Sequence, residues 1–202
     1  GPEVDRGTLI DNDVPAGTPG RFEASPLAGG NIQASGVTAQ GKTLLFANVD
    51  WISAFTNYVD LGFPGGAVDL STTTITMAPT LISPDLVESQ GNFAGPNGTV
   101  NWRVQTRFDD GLATVFNTLT LSSTAPLGSI RFISYSDADV QAGADDVLYM
   151  AGTPGRPDFR AVTLDNAQRV GLGHGGFYFA GPELTNATYD GWAADTAPDL
   201  RN

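Results

Sequence analysis

The chain has 202 residues, no cysteine, and 22 acidic against 10 basic side chains, a formal net charge of −12. That excludes a disulfide framework, thiolate catalysis and cysteine-ligated zinc, and with the arginines scattered it argues against nucleic acid and anionic membranes as partners. The acids are 18 Asp and 4 Glu, the bases 9 Arg and the single Lys42, beside 25 Gly and 13 Pro. So few helix formers among so many turn residues predict strands joined by short turns.

Taken in chain order, Gly1-Pro2 reads as the remnant of a cleaved tag. No signal peptide is read after it, so a mature chain or an excised module is expected. No apolar run approaches the ~18 residues of a membrane span. Residues 3–20, rich in Gly, Pro and Asp, read as an N-terminal arm, and 21–202 as one β domain. The apolar stretch 43–61, TLLFANVDWISAFTNYVDL, fits strand or helix. STTTITM at 71–77 has the β-branched density of a strand.

The clearest local pattern surrounds Asp110-Gly111. Val100, Trp102, Val104, Thr106 and Phe108 alternate with Asn101, Arg103, Gln105 and Arg107, and a second β-rich run follows the Asp-Gly turn signal. Residues 98–122 are therefore predicted to form a long antiparallel hairpin. Further strands are predicted at 129–135, 146–151, 159–164 and 176–180, with a shorter one within 167–175. No fixed-period repeat is present, which weighs against propellers and solenoids. The predicted fold is all-β, a single antiparallel β-sandwich of jelly-roll or immunoglobulin type with roughly ten to twelve strands and little helix.

Several motifs carry chemistry. Gly36-Val37-Thr38-Ala39-Gln40-Gly41-Lys42-Thr43 matches the phosphate-binding loop pattern. That loop needs a buried strand before it and a helix after it, whereas NIQAS precedes and the β-like TLLFANVD follows, so a β-turn with a surface lysine is expected instead. The densest acidic loop is SDADVQAGADD, residues 136–146. Calcium takes six to eight oxygen ligands, and alternate positions of a curved loop supply several at once. Asp137, Asp139, Gln141, Asp145 and Asp146 are the proposed ligands, though, counted from Asp137, glycine stands seventh and no Glu stands twelfth, unlike the helix-loop-helix calcium site. Asp11-Asn12-Asp13 and Asp109-Asp110-Gly111 are further acidic clusters, the first read as plain loop and the second as hairpin turn.

His174, the only histidine, lies in the glycine-rich GLGHGG. A general base there is conceivable in chemistry, but no Gly-x-Ser-x-Gly elbow accompanies it and a histidine in a turn is the plainer reading. Paired carboxylates for glycoside hydrolysis have no spacing to single them out; Glu183 and Asp190, near Trp192, are the least arbitrary pair. Among the aromatics Trp51, Trp102, Trp192, Phe177, Tyr178 and Tyr189, Trp102 is read as core. Trp192 and Tyr189, in a stretch of small and acidic residues, are the candidate ligand-binding pair.

The strand-dense body, the Asp-over-Glu and Arg-over-Lys bias, the lack of Cys and the loop YSDADVQAGADD resemble non-catalytic modules of large extracellular bacterial proteins of the calcium-dependent adhesin and repeats-in-toxin type. The glycine-rich calcium nonapeptides of the toxin repeats are absent. The resemblance implies a β-sandwich with structural calcium at inter-strand loops, an extracellular or cell-surface location, and adhesion to a glycan or protein ligand or to neighbouring modules. A secreted hydrolase of polysaccharide or ester substrates is the first alternative, and a ligand-free structural spacer the second.

Overall fold

The computed structural model describes residues 8–16, 18, 20–33, 37–39, 49–50, 52–62, 66–138, 146–153, 156, 158–165 and 170–175. All regular structure among them is strand or short 3-10 turn, and every strand pairing is antiparallel.

The N-terminal part holds β1 (Ile10–Asp11), β2 (Phe22–Ala24), β3 (Ile32–Gln33), β4 (Val37–Ala39), β5 (Val49–Asp50), β6 (Ile52–Asp60) and β7 (Val68–Asp69). A meander follows: β8 (Thr74–Ser83), β9 (Leu86–Gly95), β10 (Gly98–Phe108) and β11 (Val115–Ser123). The described chain then runs through β12 (Arg131–Ala138), β13 (Asp146–Ala151), β14 (Arg160–Asp165) and β15 (Val170–Gly175). Four sheets result, ordered β1-β2-β4-β5, β11-β10-β9-β8, β12-β6-β3 with β7 also on β6, and β13-β14-β15.

The predicted hairpin is present, with β10 and β11 paired from Val100↔Ser123 to Phe108↔Val115. Its alternation works as expected: Val100, Trp102, Val104, Thr106 and Phe108 are buried, while Asn101, Arg103 and Arg107 are exposed. The ambiguous 43–61 stretch resolves as strand over Ile52–Asp60, its earlier part lying mostly outside the described residues. In the predicted 71–77 strand, Ser71 and Thr72 belong to a 3-10 turn, Leu70–Thr72, and pairing begins at Thr74. Asp69 causes the delay, because its Oδ1 accepts from the Ser71 N–H at 2.9 Å and the Ser71 hydroxyl at 2.8 Å, capping the turn. The edge strand β8 carries Pro79 and three register irregularities against β9, features that discourage pairing along an open edge.

Two apolar clusters draw on the inner faces of the meander and of the β3–β6–β12 sheet. One gathers Ile10, Phe22, Ala24, Ile32, Phe55, Val87 and Phe108; the other gathers Val59, Leu61, Leu70, Val100, Trp102 and Val104. Ile10 thus belongs to the core although its surroundings have the composition of an arm. A 3-10 turn at Ala28–Gly30 is inserted against both sheets and is held by buried polar groups. The Gly29 N–H donates to Ser89 Oγ at 3.1 Å, and Asn57 Nδ2 donates to the Gly29 carbonyl at 2.9 Å. Asn31 completes the seat: its Oδ1 accepts the Asn57 N–H at 3.1 Å and its Nδ2 donates to Asp69 at 3.1 Å. Polar groups in such an interior are tolerable because each has a partner.

Candidate metal centre

One end of the meander brings three carboxylates together from three separate stretches of chain. Asp85 occupies the turn between β8 and β9, and its carbonyl accepts the Phe108 N–H at 3.0 Å. Asp110 sits in the turn after β10, where the Leu112 N–H bonds the Asp109 carbonyl at 3.2 Å and Gly111 takes a positive φ of 76°. Glycine meets that backbone geometry without a side-chain clash. The Gly111 N–H in turn donates to the Asn12 carbonyl at 2.8 Å, docking the turn on the N-terminal segment.

Asn12 is the anchor of that segment. Fully buried, it donates from Nδ2 to the Gly20 carbonyl at 2.9 Å and accepts the Phe22 N–H at 3.0 Å. The following residue, Asp13, adopts a φ of 58°, with its N–H donating to Asp11 Oδ1 at 2.7 Å. Aspartate is among the few non-glycine residues that enter this region readily, because its side chain bonds locally. With the backbone so fixed, carboxylate oxygens of Asp13, Asp85 and Asp110 all lie within 4.8 Å of one another. Asp85 is half-buried and the other two are exposed.

Nearby arginines are engaged by other acids. Arg21 pairs with Asp11 at 3.1 Å and Glu23 at 3.0 Å, and Arg107 pairs with Asp109. Asp13 is accordingly held above its ordinary carboxylate range, first by its hydrogen bond with Asp110, then by the charges of Asp110 and Asp85, with smaller effects of burial and Asp11. Three hard oxygen donors on fixed turns, open to water on one side, suit a divalent cation such as calcium, with water completing the shell. A cation there would relieve the like-charge repulsion that raises the proton affinity of Asp13.

A second arrangement surrounds His174 on β15. Ser134 Oγ lies 2.7 Å from Nε2 and Ser136 Oγ 2.8 Å from Nδ1, while the Phe55 ring is 5.3 Å away between centroids. Burial pushes the imidazole down to about 4 from 6.5, so at neutral pH it is uncharged, donating from one nitrogen and accepting at the other. The serine that donates to it has the arrangement of a hydroxyl beside a general base. Both serines lie on the face of β12 that also carries Phe132, Ser134 being paired opposite the buried Asn57.

The expected calcium loop lies largely outside the described residues. Asp137 closes toward the end of β12 and Asp146 opens β13, while Asp139, Gln141 and Asp145 fall between them, outside the description. Trp192, Tyr189, Glu183 and Asp190 also lie outside it. Of the phosphate-loop match, Val37–Ala39 is strand β4, paired with β2 and β5, and Lys42 is not among the described residues. Two of the three carboxylates that do converge, Asp13 and Asp110, stand in clusters visible in the sequence; Asp85 is a lone acid in a Pro-Asp turn with no such signal.

No helix among the described residues is long and apolar enough to cross a membrane. No family model, curated protein or solved structure matches the chain.

Proposed function

We propose that the protein is a non-catalytic, extracellular binding or adhesion module of β-sandwich type, stiffened by a calcium ion held by Asp13, Asp85 and Asp110. The observation that carries the calcium part is the convergence of these three carboxylates, each positioned by backbone hydrogen bonds of a different segment. An ion there ties the N-terminal segment to two hairpin turns, a use of calcium suited to a domain without disulfides. The acidic, cysteine-free composition supports a surface that meets a glycan or protein ligand or a neighbouring module rather than nucleic acid.

A thermal melt in excess EDTA, then in millimolar calcium, with magnesium as control, tests this. At a calcium concentration about 100 times Kd, the linkage is about 2.7 kcal/mol, or about 5–10 °C for a chain of this size. Asp13→Asn is expected to remove that rise. In EDTA it is expected to melt no lower than the parent at neutral pH, because Asp13's raised proton affinity means the folded state loses stability as pH rises and the carboxyl ionises. A calcium rise that survives Asp13→Asn but disappears in Asp137→Ala with Asp139→Ala moves the ion to the 136–146 loop. No rise in the parent protein removes calcium from the reading.

The contacts of His174 with Ser134 and Ser136 favour one second reading, the ester-hydrolase form of the secreted-hydrolase alternative, with a serine nucleophile attacking the ester carbonyl. It predicts labelling of Ser134 or Ser136 by a fluorophosphonate probe, lost in His174→Gln. Absence of labelling at neutral pH ends that reading.

A further inference from the structure

Strand β13 carries apolar side chains on both of its faces. Val147, Leu148, Tyr149 and Met150 follow one another, and each is between 37 % and 50 % exposed. Successive residues of a strand point to opposite sides of the sheet, so neither face of β13 is fully covered. Cross-strand pairing tells the two sides apart. Leu148 lies opposite Thr163 and Met150 opposite Ala161, and these lie opposite Leu172 and His174, through which β15 packs on the rest of the protein. Leu148 and Met150 thus belong to the packed side of the sheet yet reach past what it packs on. Among the described residues β13 pairs with β14 alone, which leaves its other edge unpaired there.

No other long edge strand combines these features. β8 has Pro79 and three register irregularities, β11 turns Asn117, Thr118, Thr120 and Ser122 to solvent, β12 is half-buried over 132–136, and β15 has glycine at three of its six positions. β13 has no proline, glycine or register shift, and the sequence from 147 to 155, VLYMAGTPG, carries no charge. A long apolar edge without such obstacles is a template for another strand.

We propose that β13 is the docking edge for a second copy of this chain, the two β13 strands pairing antiparallel about a two-fold axis into one six-stranded sheet. Charge selects this occupant. Each copy carries −12, so two copies approach favourably only across a seam free of charge, and 147–155 is such a seam. The strand of a second copy also arrives already extended, with apolar side chains on both faces, so little ordering is needed to pair it. Residues directly opposite share a face, so a two-fold axis normal to the sheet pairs even with even and odd with odd positions. Centred on Tyr149, it sets Tyr149 against the partner's Tyr149, Leu148 against the partner's Met150 and Val147 against the partner's Ala151. Centred on Leu148, it would set Asp146 against Met150, so the Tyr149 register is the one that keeps apolar opposite apolar. The axis uses each edge once, and assembly ends at the dimer. The seam is short beside the ~1,600 Å² of a standard interface, which makes the dimer a weak one, with a Kd on the order of 10 μM.

Sedimentation equilibrium of the full chain from about 1 to 500 μM tests this. It is run in about 0.15 M salt to screen net charge, and with EDTA present so that calcium plays no part in the outcome. A reversible monomer–dimer equilibrium is expected. Tyr149→Lys, which sets like charges opposite each other on the axis, is expected to weaken it by about 10-fold or more. Ile82→Lys, as exposed as Tyr149 but on the β8 edge, is expected to leave it unchanged. A dimer that survives Tyr149→Lys, an equal loss in Ile82→Lys, or growth beyond the dimer would each overturn the proposal. So would a parent chain that stays monomeric throughout, an outcome that leaves this edge to a strand of another protein. Should Tyr149→Lys fail to fold, the lack of cysteine in the chain offers a second route. Cross-strand Cα atoms lie ~4.5–5.5 Å apart, within disulfide reach, so mild oxidation of Tyr149→Cys is expected to give a covalent dimer where Ile82→Cys stays monomeric. Equal cross-linking of the two, or none in Tyr149→Cys, refutes the pairing.

Discussion

Trp102→Ala is expected to lower stability by about 3–5 kcal/mol, the largest loss from any single truncation in this core. The indole is 2 % exposed within the cluster of Val59, Leu70, Val100 and Val104, and its ring lies over Gly91. A Cβ at Gly91 would come within 2.4 Å of the ring, so the two positions are matched: the strand opposite gives up a side chain to seat the tryptophan. The indole N–H also donates to Thr73 Oγ1 at 2.8 Å, joining β10 to the end of the 3-10 turn. Truncation therefore opens a cavity that no neighbour on β9 can fill, and leaves the Thr73 hydroxyl without this donor. Urea denaturation at constant m-value measures the loss. Trp102→Phe, which keeps most of the volume, is expected to recover most of the stability, short by about 1 kcal/mol for the hydrogen bond. A loss under about 1 kcal/mol for Trp102→Ala would mean that the site collapses in a way this packing does not allow.

Gly30→Ala is expected to cost about 2–5 kcal/mol, from two separable causes. Gly30 has a φ of 73°, where an L side chain costs about 1–2 kcal/mol. Its added Cβ would also lie 2.6 Å from Val104 Cγ1, with Asn57 Nδ2 at 3.2 Å and Asn117 Oδ1 at 3.3 Å. Overpacking of this kind costs about 1–3 kcal/mol. Two comparisons separate the causes. Gly62→Ala has a similar φ of 78° but meets nothing within 4 Å, so it should show the backbone cost alone. Val104→Ala should relieve the collision, making Gly30→Ala with Val104→Ala less damaging than the sum of the two single changes. Strict additivity of the pair, read by denaturant melts, would show that the Ala28–Gly30 turn moves aside instead of clashing.

These two positions also mark where the sequence was and was not readable. The β10–β11 hairpin was legible because its burial follows the plain alternation of large apolar and polar side chains, and Asp110-Gly111 marks its turn. Its partner β9 gave no comparable signal. The inward face of β9 includes Ser89 and Gly91, small because Gly29 and Trp102 occupy the space there. A hydrophobicity pattern cannot register a position whose role is to be empty. The same blindness hid the carboxylate site. Asp13 and Asp110 stand in visible acidic runs, but their meeting with Asp85 depends on Asn12, a buried polar residue whose bonds to Gly20, Phe22 and Gly111 fix the N-terminal segment. Nothing in local composition distinguishes that asparagine from a loop residue. His174 was visible as the only histidine within glycines, yet its serines lie about forty positions earlier, joined to it only by tertiary packing.

The pairing of β6 with β12 closes a long excursion of the chain. Asp60 and Arg131, linked side chain to side chain at 2.8 Å, are 71 residues apart, and the whole four-stranded meander lies between them. Joining the ends of an unstructured loop that long costs about 4 kcal/mol in chain entropy, apart from a constant. The meander's own pairings are mostly between neighbours in sequence, with turns of two residues at Pro84-Asp85 and Pro96-Asn97. Once those hairpins form, the ends are separated by a compact body instead of a free coil, and contacts of low sequence separation prepare the most distant one.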